Sequence, residues 1–210
     1  MDKSVDFHIP DCDEFRKGYQ AFNANATRGH CYFNAMSHIS KNWGKPRAMA
    51  DGVGILISCW NRFYANFDYD KLAKCIDANL TTLNDFKARN ISSLSNGDAD
   101  RIRSLFDQFL DALARERDNK QSAVSVAKAF GVLAPDFLPM MDSTIAGVYG
   151  CLYIIGSKGY SPDYRYVEFC KKMKLLAERV KDCVPDPDDR SLLKRIDEYN
   201  MWKYTMHRIC

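Results

Sequence analysis

The sequence has no long apolar run. Its longest stretch without a charged residue, Ser143 to Ser157, contains three glycines and falls short of the roughly 20 apolar residues that cross a bilayer. A helical membrane span is therefore not expected. It has no CxxC pair, and eight cysteines in 210 residues are too sparse for a small disulfide scaffold. The opening stretch, MDKSVDFHIPDCDE, lacks an apolar segment after a basic start. A reducing, cytoplasmic setting is the expectation, with cysteines such as Cys59 and Cys170 packed as free thiols that behave as small hydrophobes. Excess charge is missing too: a net charge of +3 names neither nucleic acid nor an anionic membrane as partner. Nor does the chain contain GxGxxG, a P-loop, GxSxG or HExxH, the local signatures of phosphate cradles, hydrolase elbows and zinc proteases.

What is present is helical periodicity. Val53, Ile57, Trp60 and Tyr64 fall at helical offsets, and Leu56, Trp60, Phe63 and Phe67 repeat the spacing on the adjoining face, predicting a buried helix from Pro46 to Phe67. Gly52 and Gly54 lie inside it, which predicts a second helix crossing closely there. Asp98 to Arg115 is amphipathic, with Ser95-Asn96-Gly97-Asp98 as turn and N-cap. Shorter helices are expected over Tyr69–Asn79 and Leu80–Arg89. Arg115 to Lys120 is a charged connector, followed by a helix from Ser122 that Pro135 stops. A short helix from Ser143, a long one over Asp163–Cys183 and a last one over Asp188–His207 complete the pattern. With no run of period-2 alternation, the fold class is all-α: one domain of eight to ten helices over residues 1–210, with a candidate lobe boundary at 115–121.

Asp142 is the most individual residue. It follows Leu138-Pro-Met-Met141 and opens a helix, which places a carboxylate at a helix N-terminus among apolar neighbours. As an N-cap it contributes about 0.5–2 kcal/mol. In the same place a carboxylate stabilises positive charge developing on a substrate, such as a sugar oxocarbenium ion. Lys171, Lys172, Lys174 and Arg179 cluster on one helix, and Lys194, Arg195, Lys203 and Arg208 on the next, interleaved with Glu168, Glu178, Asp197 and Glu198. They read either as a solvated helix face or as phosphate contacts. His30, His38, Cys12 and Cys31 do not have metal-ligand spacing, and neither a metal nor a cofactor is expected.

The segment carrying Lys128, Pro135, Phe137, Asp142 and Ile145, with the terminal run Ile196 to Trp202, resembles a pattern in uncharacterised helical proteins of prokaryotes and their phages. Over residues 50–205 the chain is also faintly similar to the helix-hairpin-helix DNA glycosylase superfamily, although the glycine hairpin of that superfamily is missing before Lys128. This resemblance implies Asp142 as the catalytic carboxylate, Lys128 as the amine nucleophile, and a base flipped from DNA or RNA as substrate. Without the hairpin, binding would rest on side chains such as Lys171, Lys172, Lys174 and Arg179. The alternative is a non-enzymatic module that docks a protein through Tyr153, Tyr160, Tyr164 and Tyr166.

Overall fold

The computed structural model describes residues 7–25, 29–60, 65–152, 161–184 and 190–206. Among these, ten α-helices and no β-strand are found, so the fold is all-α. The helices are α1 (Cys12–Asn25), α2 (Gly29–Lys41), α3 (Pro46–Trp60), α4 (Tyr69–Ala78) and α5 (Leu80–Lys87), then α6 (Ala99–Ala112), α7 (Ala123–Leu133), α8 (Ser143–Val148), α9 (Pro162–Val180) and α10 (Leu192–Tyr204).

Local chemistry sets most of these boundaries. Asp68 caps α4 by accepting from the amides of Asp70 and Lys71, and Ser122 caps α7 through the amide of Ser125. Pro162 occupies the first turn of α9, where its missing N–H is not needed. The close crossing inferred from the α3 glycines is present. A Cβ at Gly52 would strike Ile39 of α2, and one at Gly54 would strike the Tyr69 hydroxyl of α4. Likewise, Gly18 of α1 lets Tyr199 and Trp202 of α10 approach its backbone, to 2.6 and 2.7 Å from where a Cβ would stand.

One hydrophobic cluster runs through the helices on both sides of residues 115–121. At its centre Phe130 of α7 meets Phe106 and Phe109 of α6 and Tyr166 of α9, with ring centroids 5.1–6.0 Å apart, mostly edge to face. The buried Tyr166 hydroxyl donates to the Pro139 carbonyl at 2.9 Å, which ties α9 to the loop before α8.

Four expectations are corrected. α3, described as far as Trp60, does not extend to Phe67, which pairs with Arg115 in an isolated antiparallel bridge. Arg115, expected in a solvated connector, is buried, with its guanidinium donating to Asp118. Tyr166 is wholly buried and so offers nothing to a docking partner, while Tyr153 and Tyr160 lie outside the described residues. Four of the cysteines expected as free thiols form two disulfides, Cys12–Cys183 and Cys31–Cys59. Cys75, Cys151 and Cys170 remain thiols, and burial pushes the Cys151 thiol up to about 11. No helix among the described residues is long and apolar enough to cross a membrane.

The turn before α6 is held by Asp98. Its carboxylate accepts from both Arg89 terminal nitrogens at 2.7 and 2.8 Å, and from the Ser95 amide and hydroxyl, each at 2.8 Å. Arg89, foremost, holds this carboxyl well below the usual aspartate range. A carboxylate pKa depressed by folding contributes stability that is present above the unfolded pKa and lost as pH falls through the folded one. Asp98→Asn is therefore expected to cost about 2 kcal/mol near neutral pH and to flatten the acid limb of the stability curve, measured by urea unfolding at several pH values.

Candidate functional site

Lys128 sits in the middle of α7, the helix with the least access to water. Ser125, Val126, Ala127, Ala129, Phe130, Gly131, Val132 and Leu133 are all buried, because α2, α3 and α6 pack around it. Lys128 itself is half-buried, on the partly exposed edge of the helix with Ala123 and Val124. Its Nζ lies 5.1 Å from the centre of the Trp60 ring, at the end of α3. Among the described residues no carboxylate comes within 4.0 Å of it, unlike nearby Lys194, whose Nζ meets Asp197 at 2.7 Å. Burial, the largest influence, pushes the Lys128 amine down; Asp197 and Asp142 oppose this, and Lys194 adds to it. The cationic neighbour needed to activate a lysine, invisible in the sequence around Lys128, is thus supplied by α10.

Asp142 opens α8, as its sequence position suggests. It caps the helix, with Oδ1 accepting from the Thr144 amide at 2.8 Å and its carbonyl accepting from Ala146. Yet the residue is only half-buried, and it lines the same cavity as Lys128. The capping and ligand-facing readings therefore coexist: the cap fixes the carboxylate on rigid backbone, and the cavity gives it something to face.

The cavity is about 390 Å³ measured out to its mouth. Phe22, Tyr32 and Trp60 form an aromatic side, and Met140, Met141 and Met201 a flexible apolar one. Lys128, Lys194, Asp142 and Asp197 all line it, so the lining is close to charge-neutral. These side chains fill most of the space, leaving room for about one water molecule. A larger guest requires Lys128 or a methionine to swing aside, which their unbranched chains permit.

Lys194 and Asp197 were expected on a solvated, mixed-charge face. Instead Lys194, Arg195 and Glu198 are buried in the packing of α10. Lys194 lies over the rings of Tyr32 and Phe22, 5.1 and 5.7 Å from their centres. Glu198 accepts from Asn23 at 3.1 Å and sits 3.4 Å from Arg190. The signal was available, because Leu193, Ile196 and Tyr199 of α10 are interleaved with these charges and leave no wholly polar stripe.

The four cations of α9 are on the surface but already engaged or flanked. Lys171 pairs with Glu168 at 2.7 Å, and Lys174 donates to the Leu94 carbonyl at 2.9 Å with Glu178 at 3.9 Å. Lys172 lies over Phe7, 5.6 Å from the ring centre, and Arg179 is exposed. None of the four lines the Lys128 cavity. Cys12 and Cys31, consumed in disulfides, are unavailable as thiolate ligands, and no group of three potential metal ligands occurs among the described residues. Compared with known proteins, the chain matches no family model, no curated protein and no solved structure.

A lysine whose folded pKa is lowered binds fewer protons folded than unfolded, so stability rises with pH between the lowered value and the ordinary lysine value. Lys128→Met is expected to abolish that slope. It should also raise stability at neutral pH by about 1 kcal/mol, a Tm increase of a few degrees, because the variant no longer buries a cation. Calorimetry from pH 7 to 10 measures both effects; a Tm loss at every pH would mark Lys128 as a packing residue.

Proposed function

We propose that this chain binds, and acts chemically on, a small ring-bearing ligand in the Lys128 cavity, and that an unstacked nucleobase or nucleoside is the class the lining suits best. The observation that carries this reading is a single one: an amine with no carboxylate within 4.0 Å among the described residues, set over an indole face and sharing its cavity with a backbone-fixed carboxylate.

Each component has a chemical task. Trp60 offers a face for stacking, which tolerates any base. Burial of Lys128 raises the fraction of neutral amine, the form that attacks an electrophilic carbon. Asp142, held by its cap, stabilises the positive charge that develops on a sugar ring as a glycosidic bond lengthens. A base within a strand must leave the stack to reach this pocket. Phosphate contacts from α9 are weak in this reading, since Glu168 and Glu178 offset two of the four cations. A protein-docking role has less support, because Tyr166 is interior.

The two disulfides favour surroundings more oxidising than the cytoplasm expected from the cysteine spacing.

The test is a titration of the protein with adenosine, thymidine and a short single-stranded DNA, followed by tryptophan emission. Quenching is expected with wild type and not with Trp60→Phe, and affinity should fall tenfold or more in Asp142→Asn. For the DNA, the slope of log affinity against log salt should be shallow, about −1.4, matching two uncompensated cations on a single strand. Absence of quenching by all three probes at low salt, both with the disulfides intact and after mild dithiol reduction, overturns the reading.

A further inference from the structure

The pocket wall is fastened by a disulfide. α2 and α3 form an antiparallel hairpin joined at one end by the tight connection Asn42–Lys45, where Lys45 donates its amide to the Asn42 carbonyl. Cys31 is the third residue of α2 and Cys59 the penultimate residue of α3, so the bond between them closes the opposite, open end of the hairpin. The next residues along the chain, Tyr32 and Trp60, are two of the three aromatic side chains lining the Lys128 cavity. The Trp60 ring also covers the Lys128 amine.

The two disulfides differ in access at one sulfur: Cys31 and Cys59 are both partly exposed, whereas in the other bond Cys12 is partly exposed and Cys183 is buried. Exchange with an external thiol needs an approach to one sulfur in line with the bond, which a partly exposed pair allows. Among the described residues, the remaining thiols Cys75, Cys151 and Cys170 do not compete as internal attackers, because burial raises all three and leaves little thiolate.

We propose that the Cys31–Cys59 disulfide is a redox latch on the Lys128 cavity: closed, it holds Trp60 against the amine, and opened by a dithiol reductant it frees the end of α3 and admits ligand. The exchange balances. One thiolate of the dithiol attacks a sulfur of the pair and expels the other cysteine, which takes up a proton. The second thiol of the reductant then displaces the remaining cysteine, leaving two protein thiols and an oxidised, disulfide-form reductant. With the clamp gone, the stretch of α3 around Cys59 and Trp60 loses its covalent tie to α2 and can open locally away from it. The nearly filled cavity gains the volume that Trp60 vacates. This inference rests on the Lys128 cavity being the ligand site.

The test reads access to the amine and needs no ligand, so its failure is separable from failure of the ligand reading. The whole protein is treated briefly with an amine-acylating reagent before and after mild dithiol reduction, and modification of each lysine is measured by peptide mass spectrometry. Thiol titration reports which disulfide has opened, and circular dichroism follows helix content. Expected is a rise of about tenfold in Lys128 labelling on opening of Cys31–Cys59, with Lys171 on α9 unchanged and helix content retained. Cys31→Ser should show the fast rate without reductant, and Cys183→Ser should keep the slow one. Unchanged Lys128 labelling with Cys31–Cys59 open overturns the latch. So does a uniform rise at all lysines with loss of helix, since the bond would then hold the fold and not the pocket. Finding Cys31 and Cys59 as thiols in the untreated protein overturns it as well.

Discussion

α7 is buried along most of its length, yet at its half-buried edge it carries a lysine. That constraint organises the account of this protein. α2, α3 and α6 pack around this helix, and Lys128 stands on its half-buried edge with Ala123 and Val124. From there the amine reaches under Trp60 and into the cavity that Asp142 also lines. Burying a cation without a close carboxylate opposes folding. The rest of the fold supplies enough hydrophobic burial to offset this, through a cluster that continues across all the major helices.

Two kinds of group meet at this cavity, and they reach it differently. Lys128 and Asp142 come from adjacent segments whose separation is set by rigid features, with Pro135 and Pro139 in the loop between and Met140 seated against Gly131. Lys194 and Asp197 come from α10, which reaches the site because α1 packs along it through Gly18 and because its own Tyr199 is buried. The first pair determines what the pocket contains chemically; the second fixes the field around it, since Asp197 and Lys194 act in opposite directions on the Lys128 amine.

The sequence carried the helices well wherever apolar spacing and caps agreed. α4, α6, α7 and α8 begin within a residue or so of the expected starts at Tyr69, Asp98, Ser122 and Ser143. α1 was not anticipated, because Cys12–Asn25 mixes charge, glycine and aromatics without a clean stripe. Arg115 was misread for a general reason: an arginine in a charged run looks solvated until tertiary structure provides Asp118 and a bridge to Phe67. The disulfides were illegible because their partners lie 171 and 28 residues apart, with no spacing motif to pair them. Asp142 and Lys128 were legible as individuals. That they share one cavity, with Lys194 and Asp197 between them and α10, depends on long-range packing that local pattern does not encode.

The most direct measurement of the central claim is the titration of the Lys128 amine itself, followed by NMR of a protein with isotope-labelled lysine side chains and assigned with Lys128→Arg. The account predicts that this amine titrates below the ordinary lysine value of about 10.4 and falls further in Asp142→Asn, because a carboxylate that favours its charged form has been removed. An amine that titrates at the ordinary value, unmoved by Asp142→Asn, would contradict it.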